Sequence, residues 1–237
     1  MNKPKDIALL ATFANDRLVD ETGKLLKEQP GGPAFFLSNI FKKENCAFDV
    51  MAPPTAEVEV KITKDGEFGR ITYEPPVLSV NFAAIKNRAL IISSVLNEIS
   101  LTGLSEYRGL VFIDIQGYVR EGITHGKKHQ WNITSDTINA ISCLKATAEE
   151  IEYLPPEAVD TLKQKMLIVT NGDKGSVLFA KGKKYISAPD TKIEFNHSIG
   201  AGDTFFAYYI INYLRQKPAE ECLRFATTKT TEFLDNQ

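Results

Sequence analysis

Four short, unbroken apolar runs recur along the chain: "DIALLATF" (Asp6 to Phe13), "ALIISSVL" (Ala89 to Leu96), "GLVFIDI" (Gly109 to Ile115) and "MLIVTN" (Met166 to Asn171). Strands that lack polar alternation are those covered on both faces, as in a parallel sheet. Between the runs the sequence predicts helices over "NEISLTGLSEY" (Asn97 to Tyr107), over "SDTINAISCL" (Ser135 to Leu144) with Ser135 as its cap, and over "PPEAVDTLKQK" (Pro155 to Lys165) with a proline start. Strands alternating with helices imply an α/β fold with a mostly parallel central sheet.

Two segments break that rhythm. "DRLVDETGKLLKEQPGG" (Asp16 to Gly32) and "AEVEVKITKDGEFGRITYEPP" (Ala56 to Pro76) alternate polar and apolar residues around a glycine-containing turn. They are predicted to form hairpins outside the main sheet, a flap over a cleft. With 237 residues, 43% hydrophobic and 24% charged, and no internal repeat or linker, residues 1–237 are expected to form a single domain. A formal net charge of -2 gives no basic excess for nucleic acid or a membrane surface. Cys46, Cys143 and Cys222 lie far apart with no CxxC pairing, which predicts neither zinc nor disulfides and points to a reducing cytosol. The N-terminal "MNKPKDIALLATF" reads as a first buried strand and not a signal peptide, and no apolar run approaches the roughly 20 residues of a membrane span.

The stretch "NHSIGAGDTFFAYYIINYLRQ" (Asn196 to Gln216) sets glycines and an aspartate against an almost wholly apolar helix. The first amides of a helix lack intrahelical partners, so a loop of Gly200, Ala201 and Gly202 lets a phosphate approach bare backbone. Asp203, expected just ahead of a helix over Thr204 to Tyr213, then sits as a base able to accept the proton of an attacking hydroxyl. An aspartate cap beside a glycine turn is the other reading of the same residues.

"GAGDTF" (Gly200 to Phe205) resembles the signature of the ribokinase-like (PfkB) family of carbohydrate and nucleoside kinases, and four further stretches match in the family's order. "ATFANDRL" (Ala11 to Leu18) is similar to the end of the family's first strand, with Asp16 at the substrate-binding aspartate. "GGPAFFLSN" (Gly31 to Asn39) resembles the di-glycine segment that closes on the acceptor and opens a helix, and it looks more like the inositol-kinase branch than ribokinase itself. "LKATAEEIEYL" (Leu144 to Leu154) is similar to the Asn-x-x-Glu element near metal and phosphates, with Glu150 as the glutamate. "IVTNGDKGSVLF" (Ile168 to Phe179) resembles the strand and glycine turn that lead to the nucleotide pocket. The resemblance implies a three-layer α/β/α sandwich with a small β lid, ATP as donor and Mg2+. It implies phosphoryl transfer to a hydroxyl of a small polyol, sugar or nucleoside, myo-inositol or a sugar first. By the same carry-over, Asp203 is the base and Gly200 to Gly202 hold the phosphoryl group. Asp16, Gly31, Gly32 and Phe36 face the acceptor; Thr147, Thr170, Gly172 and Gly175 shape the ATP side; Glu150 serves the metal. The exposed lid offers a homodimer contact.

Departures from the pattern are specific. His197 and Ser198 stand where the family has Asp-Thr, Thr147 replaces the Asn of Asn-x-x-Glu, and the GxDxxG segment after "FDVMAPP" (Phe48 to Pro54) is missing. Phe36 stands nearest to the Asn that follows the di-glycine. These leave a second reading open, a nucleotide-binding protein of the same fold without turnover. His125 and His129 in "HGKKHQ" have helical ligand spacing, but Gly126 and two lysines indicate an exposed loop. Asp114 ends an apolar strand, where ligands of open α/β sheets gather, and equally suits a turn. Lys145 and Arg120 suit either a phosphate or a solvated surface.

Overall fold

The computed structural model describes residues 6–64, 66–122, 127–189 and 197–237. In chain order these form β1 (Ile7–Ala11), β2 (Ala14–Val19), β3 (Leu25–Gly31), α1 (Gly32–Lys43), β4 (Phe48–Met51), β5 (Ala56–Thr63), β6 (Gly66–Tyr73), β7 (Ala89–Ser93), β8 (Leu110–Asp114) and α2 (Gln116–Val119). They continue through α3 (Ser135–Ala140), β9 (Cys143–Thr147), α4 (Pro156–Gln164), β10 (Met166–Thr170), β11 (Ser176–Ala180), β12 (Lys183–Ser187), α5 (Ala201–Leu214) and α6 (Ala219–Asp235).

Eight strands make the central sheet in the order β12-β11-β10-β9-β8-β7-β1-β4, parallel from β10 to β4, with β11 and β12 added antiparallel. The apolar runs are buried on both faces. In β1, Ile7, Leu9 and Ala11 join one core with α1, α5 and α6, while Ala8 and Leu10 join the other. That second core packs the sheet against α2, α3, α4 and the irregular chain before them, completing three α/β/α layers.

The two hairpins combine. β2 pairs with β3 and β5 with β6, both antiparallel, and β2 pairs with β5 in parallel, giving a four-stranded sheet β3-β2-β5-β6. Its inner residues Ala14, Leu18, Ala56, Val58 and Val60 pack with Val95, from the turn after β7, and with Ile199 ahead of α5. The small sheet thus sits over the carboxyl ends of β1 and β7. There the strand order reverses on either side of β1, the kind of crevice where open α/β sheets bind ligands.

Three predicted elements differ. Asn97 to Tyr107 is not a helix: Asn97 takes φ 53, Gly103 takes φ 82, and only Leu104–Glu106 winds into a 3-10 turn. The physical cause is Glu98, 1% exposed, whose carboxylate accepts from Thr12 Oγ1 and from the amides of Val95 (2.7 Å) and Leu96 (2.5 Å), fixing a turn in place of a helix start. The helix from Ser135 stops at Ala140, because Cys143 to Thr147 is strand β9, inserted between β8 and β10. Its cap is Thr134, whose Oγ1 accepts from the Thr137 amide at 3.2 Å, and not Ser135. The helix predicted over Thr204 to Tyr213 begins earlier, at Ala201, so Gly202 and Asp203 lie inside its first turn. The helix with a proline start and both hairpins form where predicted.

Candidate active site

Neighbouring strands bring charge together under α5. In β8 and β9, Asp114 and Lys145 are register partners on the face that carries Phe112 and Cys143, the face covered by α5. Lys145 Nζ donates to Asp114 Oδ2 at 2.6 Å, with both residues almost fully buried. Asp114 Oδ1 also accepts from the Gln116 amide at 3.1 Å, which turns the chain into α2 and on to half-buried Arg120. Just beyond β9, Thr147 and Glu150 cap each other: the Thr147 amide donates to Glu150 Oε2 at 2.8 Å, and the Glu150 amide to Thr147 Oγ1 at 3.1 Å. This reciprocal box is what a threonine three residues before a glutamate can build.

The approach to α5 is glycine-dependent. Gly200 takes φ 82, a left-handed conformation that favours glycine, and a Cβ there would lie 2.3 Å from the Phe36 ring. Phe36, expected on the acceptor side, is thus placed at the loop that leads into α5. Its ring lies against Gly200 and makes edge contacts with Phe35 (5.2 Å between centroids) and Phe233 (6.4 Å), so its apolar surface seats the glycine loop. Of the expected cradle, Ala201 has its amide engaged. The Ala201 amide donates to Ser198 O at 2.9 Å, so the first-turn amides without intrahelical acceptors are those of Gly202 and Asp203. A Cβ on Gly202 would lie 3.1 Å from Lys145 Nζ.

Asp16 is on the inner face of β2, 5% exposed, against the di-glycine: a Cβ on Gly31 would overlap its carboxylate, 1.8 Å from Oδ2. Gly32, at φ 76, starts α1 with no room for a side chain beside Thr12 O. Burial pushes the Asp16 carboxyl up to about 6, opposed by the positive charge of Arg120. Asp203 is pushed up to about 7, first by burial, then by the negative charge of Asp114, with Lys145 and Arg120 opposing. Glu150 is raised as well, by burial and then by Asp114. Asp16, Asp114, Glu150 and Asp203 thus share one field with Lys145 and Arg120.

The remaining expected residues spread along the neighbouring strand end. Thr170 closes β10, and its carbonyl accepts from the Ala148 amide at 2.8 Å. Gly172 and Gly175 frame the turn into β11, and Gly175, at φ 87, lies against the backbone of Ser187. His129 lines a cavity of about 330 Å3 with Leu96, Asn97 and Arg120, and His125 lies outside the described residues. Among the described residues no cluster of three or more acidic, His or Cys side chains could hold a metal, and no helix is long and apolar enough to cross a membrane. The residues whose burial the sequence left open are Asp114, Arg120 and Lys145. The available signal was a lysine in the middle of the apolar stretch "CLKAT", where a solvated side chain has no outlet.

Comparison with known proteins agrees with this architecture. Residues 132–229 match the profile of the pfkB family carbohydrate kinase. Over 104 residues the chain is 32% identical to a ribokinase of Arabidopsis thaliana, a match that spans 38% of this chain and 27% of that relative's length. In fold it superimposes on a pyrophosphate-dependent kinase of the ribokinase family, solved with a pyrophosphate analog and myo-inositol, with a TM-score of 0.76 at 16% identity, over 96% of this chain and 94% of the other. A ribokinase of Cryptococcus neoformans in complex with ADP gives a TM-score of 0.72 at 12% identity, over 98% and 94%. The resemblance to the ribokinase-like (PfkB) family thus holds in sequence over the C-terminal part, which contains Lys145, Glu150 and Asp203, and in fold over nearly the whole length.

Proposed function

We propose that this protein transfers the γ-phosphoryl group of ATP to a hydroxyl of a small polyol or sugar. The observation that carries the reading is Asp203, a carboxyl pushed up to about 7 within the first turn of a helix whose Gly202 and Asp203 amides have no acceptor among the described residues. A base with that affinity for protons accepts one from an alcohol as the new bond forms, and the amides meet the charge on the phosphoryl oxygens. Asp16, seated on Gly31 under the small sheet, faces the acceptor and accepts hydrogen bonds from its hydroxyls. The small sheet is then the lid of a single catalytic body, and its outer edges offer a contact for a second copy.

Magnesium keeps several waters and binds through one or two carboxylates plus phosphate oxygens, so a site with one capped glutamate suits it better than a full protein cage would. Glu150 would hold it, directly or through water, and the ion would neutralise the donor phosphates. Thr147, Thr170, Gly172 and Gly175 border the donor side. A cyclic polyol such as myo-inositol heads the acceptors, supported by the "GGPAFFLSN" pattern and by the fold neighbour solved with that compound. Asp16 and the di-glycine backbone carry the polar contacts to the acceptor.

The test is a phosphoryl-transfer assay over myo-inositol, ribose, fructose 6-phosphate and adenosine, with ATP or pyrophosphate as donor. Transfer to inositol or a sugar from ATP supports the reading, and pyrophosphate as the sole donor corrects its donor half. Tight nucleotide binding with no transfer to any acceptor favours the alternative, a binding protein without turnover, which the His197, Ser198 and Thr147 departures would then explain.

A further inference from the structure

Lys145 is 3% exposed and carries three N–H donors on its ammonium, of which one goes to Asp114 Oδ2. Among the described residues no second acceptor reaches it. Idle donors on a buried charge are costly, and a pair kept only for packing could be replaced by apolar residues of the same volume without loss. The ammonium is also next to an anion-ready backbone: Nζ lies 3.1 Å from where a Gly202 side chain would begin, beside first-turn amides of α5 that have no acceptor among the described residues. A side chain at residue 202 would close that gap.

We propose that Lys145 is a catalytic residue that contacts the phosphoryl group in flight, that Asp114 is its positioning residue, and that residue 202 is glycine to leave the space between ammonium and amides open. The inference rests on the phosphoryl-transfer reading given above. In the step, the bond from phosphorus to the bridging oxygen of a nucleoside triphosphate breaks and its electron pair leaves with the diphosphate. The acceptor oxygen bonds to phosphorus, and its proton passes to the Asp203 carboxylate. Lys145 stays an ammonium throughout and donates its two idle hydrogens to the phosphoryl oxygens, on the side away from the α5 amides. Burial by itself would lower its proton affinity, but Asp114, Glu150 and Asp203 outweigh that and raise it, so the charge is present at neutral pH.

The experiment compares Lys145→Met, Lys145→Arg and Asp203→Asn in the full chain. It measures kcat and acceptor KM with the best acceptor, binding of inorganic pyrophosphate by calorimetry, and unfolding. Lys145→Met is expected to lose at least about a hundredfold in kcat with acceptor KM within threefold, and about tenfold or more in pyrophosphate affinity. Lys145→Arg should regain part of both, and Asp203→Asn should lose kcat but keep pyrophosphate affinity. Lys145→Met with kcat and pyrophosphate affinity both within threefold of the parent overturns the proposal and leaves Lys145 a counter-ion. If Asp203→Asn keeps its turnover, the transfer mechanism fails by itself, while pyrophosphate binding still decides whether Lys145 forms an anion site. Should Lys145→Met not fold because Asp114 is left unpaired, Asp114→Asn with Lys145→Met removes both charges, and unchanged pyrophosphate affinity in that variant equally overturns the proposal.

Discussion

The small sheet and the carboxyl ends of β8 and β9 both carry many charges and handle them in opposite ways. On the outer face of the small sheet Arg17 meets Glu59 at 3.2 Å and Glu28 at 3.8 Å, and Arg70 meets Glu59 at 3.0 Å. These pairs face solvent and contribute little stability each. Under α5 the charges are buried, among the described residues only Asp114 and Lys145 form an ion pair there, and Asp203 and Asp16 carry raised proton affinities. The first arrangement leaves most of its charges hydrated. The second lowers the stability of the folded chain, and such a cost is characteristic of sites that use the charge.

The comparison breaks most decisively at Asp203. Asp203→Asn is expected to lower kcat by at least about a hundredfold while raising stability. Because the folded pKa is raised from 3.8 to about 7, the native state holds the proton more tightly than the unfolded chain across that window. Stability therefore falls as pH rises from 3.8 to about 7, and the loss is complete above it; Asn carries no such loss. Urea unfolding should show the variant ahead by on the order of 1–3 kcal/mol at pH 8 and level with the parent near pH 3. The parent's kcat should rise with pH through about 7 as the base ionises. A variant less stable at pH 8 would mean that Asp203 is a cap, as on any helix.

A second test probes where the two regions meet. Gly31→Ala places a methyl on the Asp16 carboxylate, forcing it to turn away. Acceptor KM should rise about tenfold, with donor KM nearly unchanged and a stability loss of about 1–2 kcal/mol. Equal rises in both KM values would remove Asp16 from the acceptor side.

The smallest effect belongs to the tie between the regions. Glu67, at the start of β6, accepts from the Ser198 amide and from Ser198 Oγ at 3.1 Å, joining the small sheet to the loop that leads into Gly200. Ser198 is exposed and Glu67 half-buried, so Glu67→Ala should cost about 1 kcal/mol or less. It should lower kcat a fewfold and speed amide exchange at Ser198 and Gly200. No change in exchange would show that the small sheet and the glycine loop move independently.

What the chain declares by itself is local. Runs with no polar alternation read as buried strands, alternation around glycine read as hairpins, and a Gly-Ala-Gly-Asp stretch before an apolar helix read as an anion-ready terminus or a capped turn. Each of these depends on period or backbone freedom, which neighbouring residues set. The tertiary structure decided everything that depended on distant partners. It joined two hairpins through the β2–β5 ladder and held Asn97 to Tyr107 out of a helix by the reach of Glu98 to Thr12. It also turned Phe36 onto Gly200, and it buried Lys145 against Asp114 from the adjacent strand. A lysine inside an apolar strand reads as an anomaly until the neighbour that shares its face is known, because burial and charge pairing are properties of the assembled sheet and not of the strand.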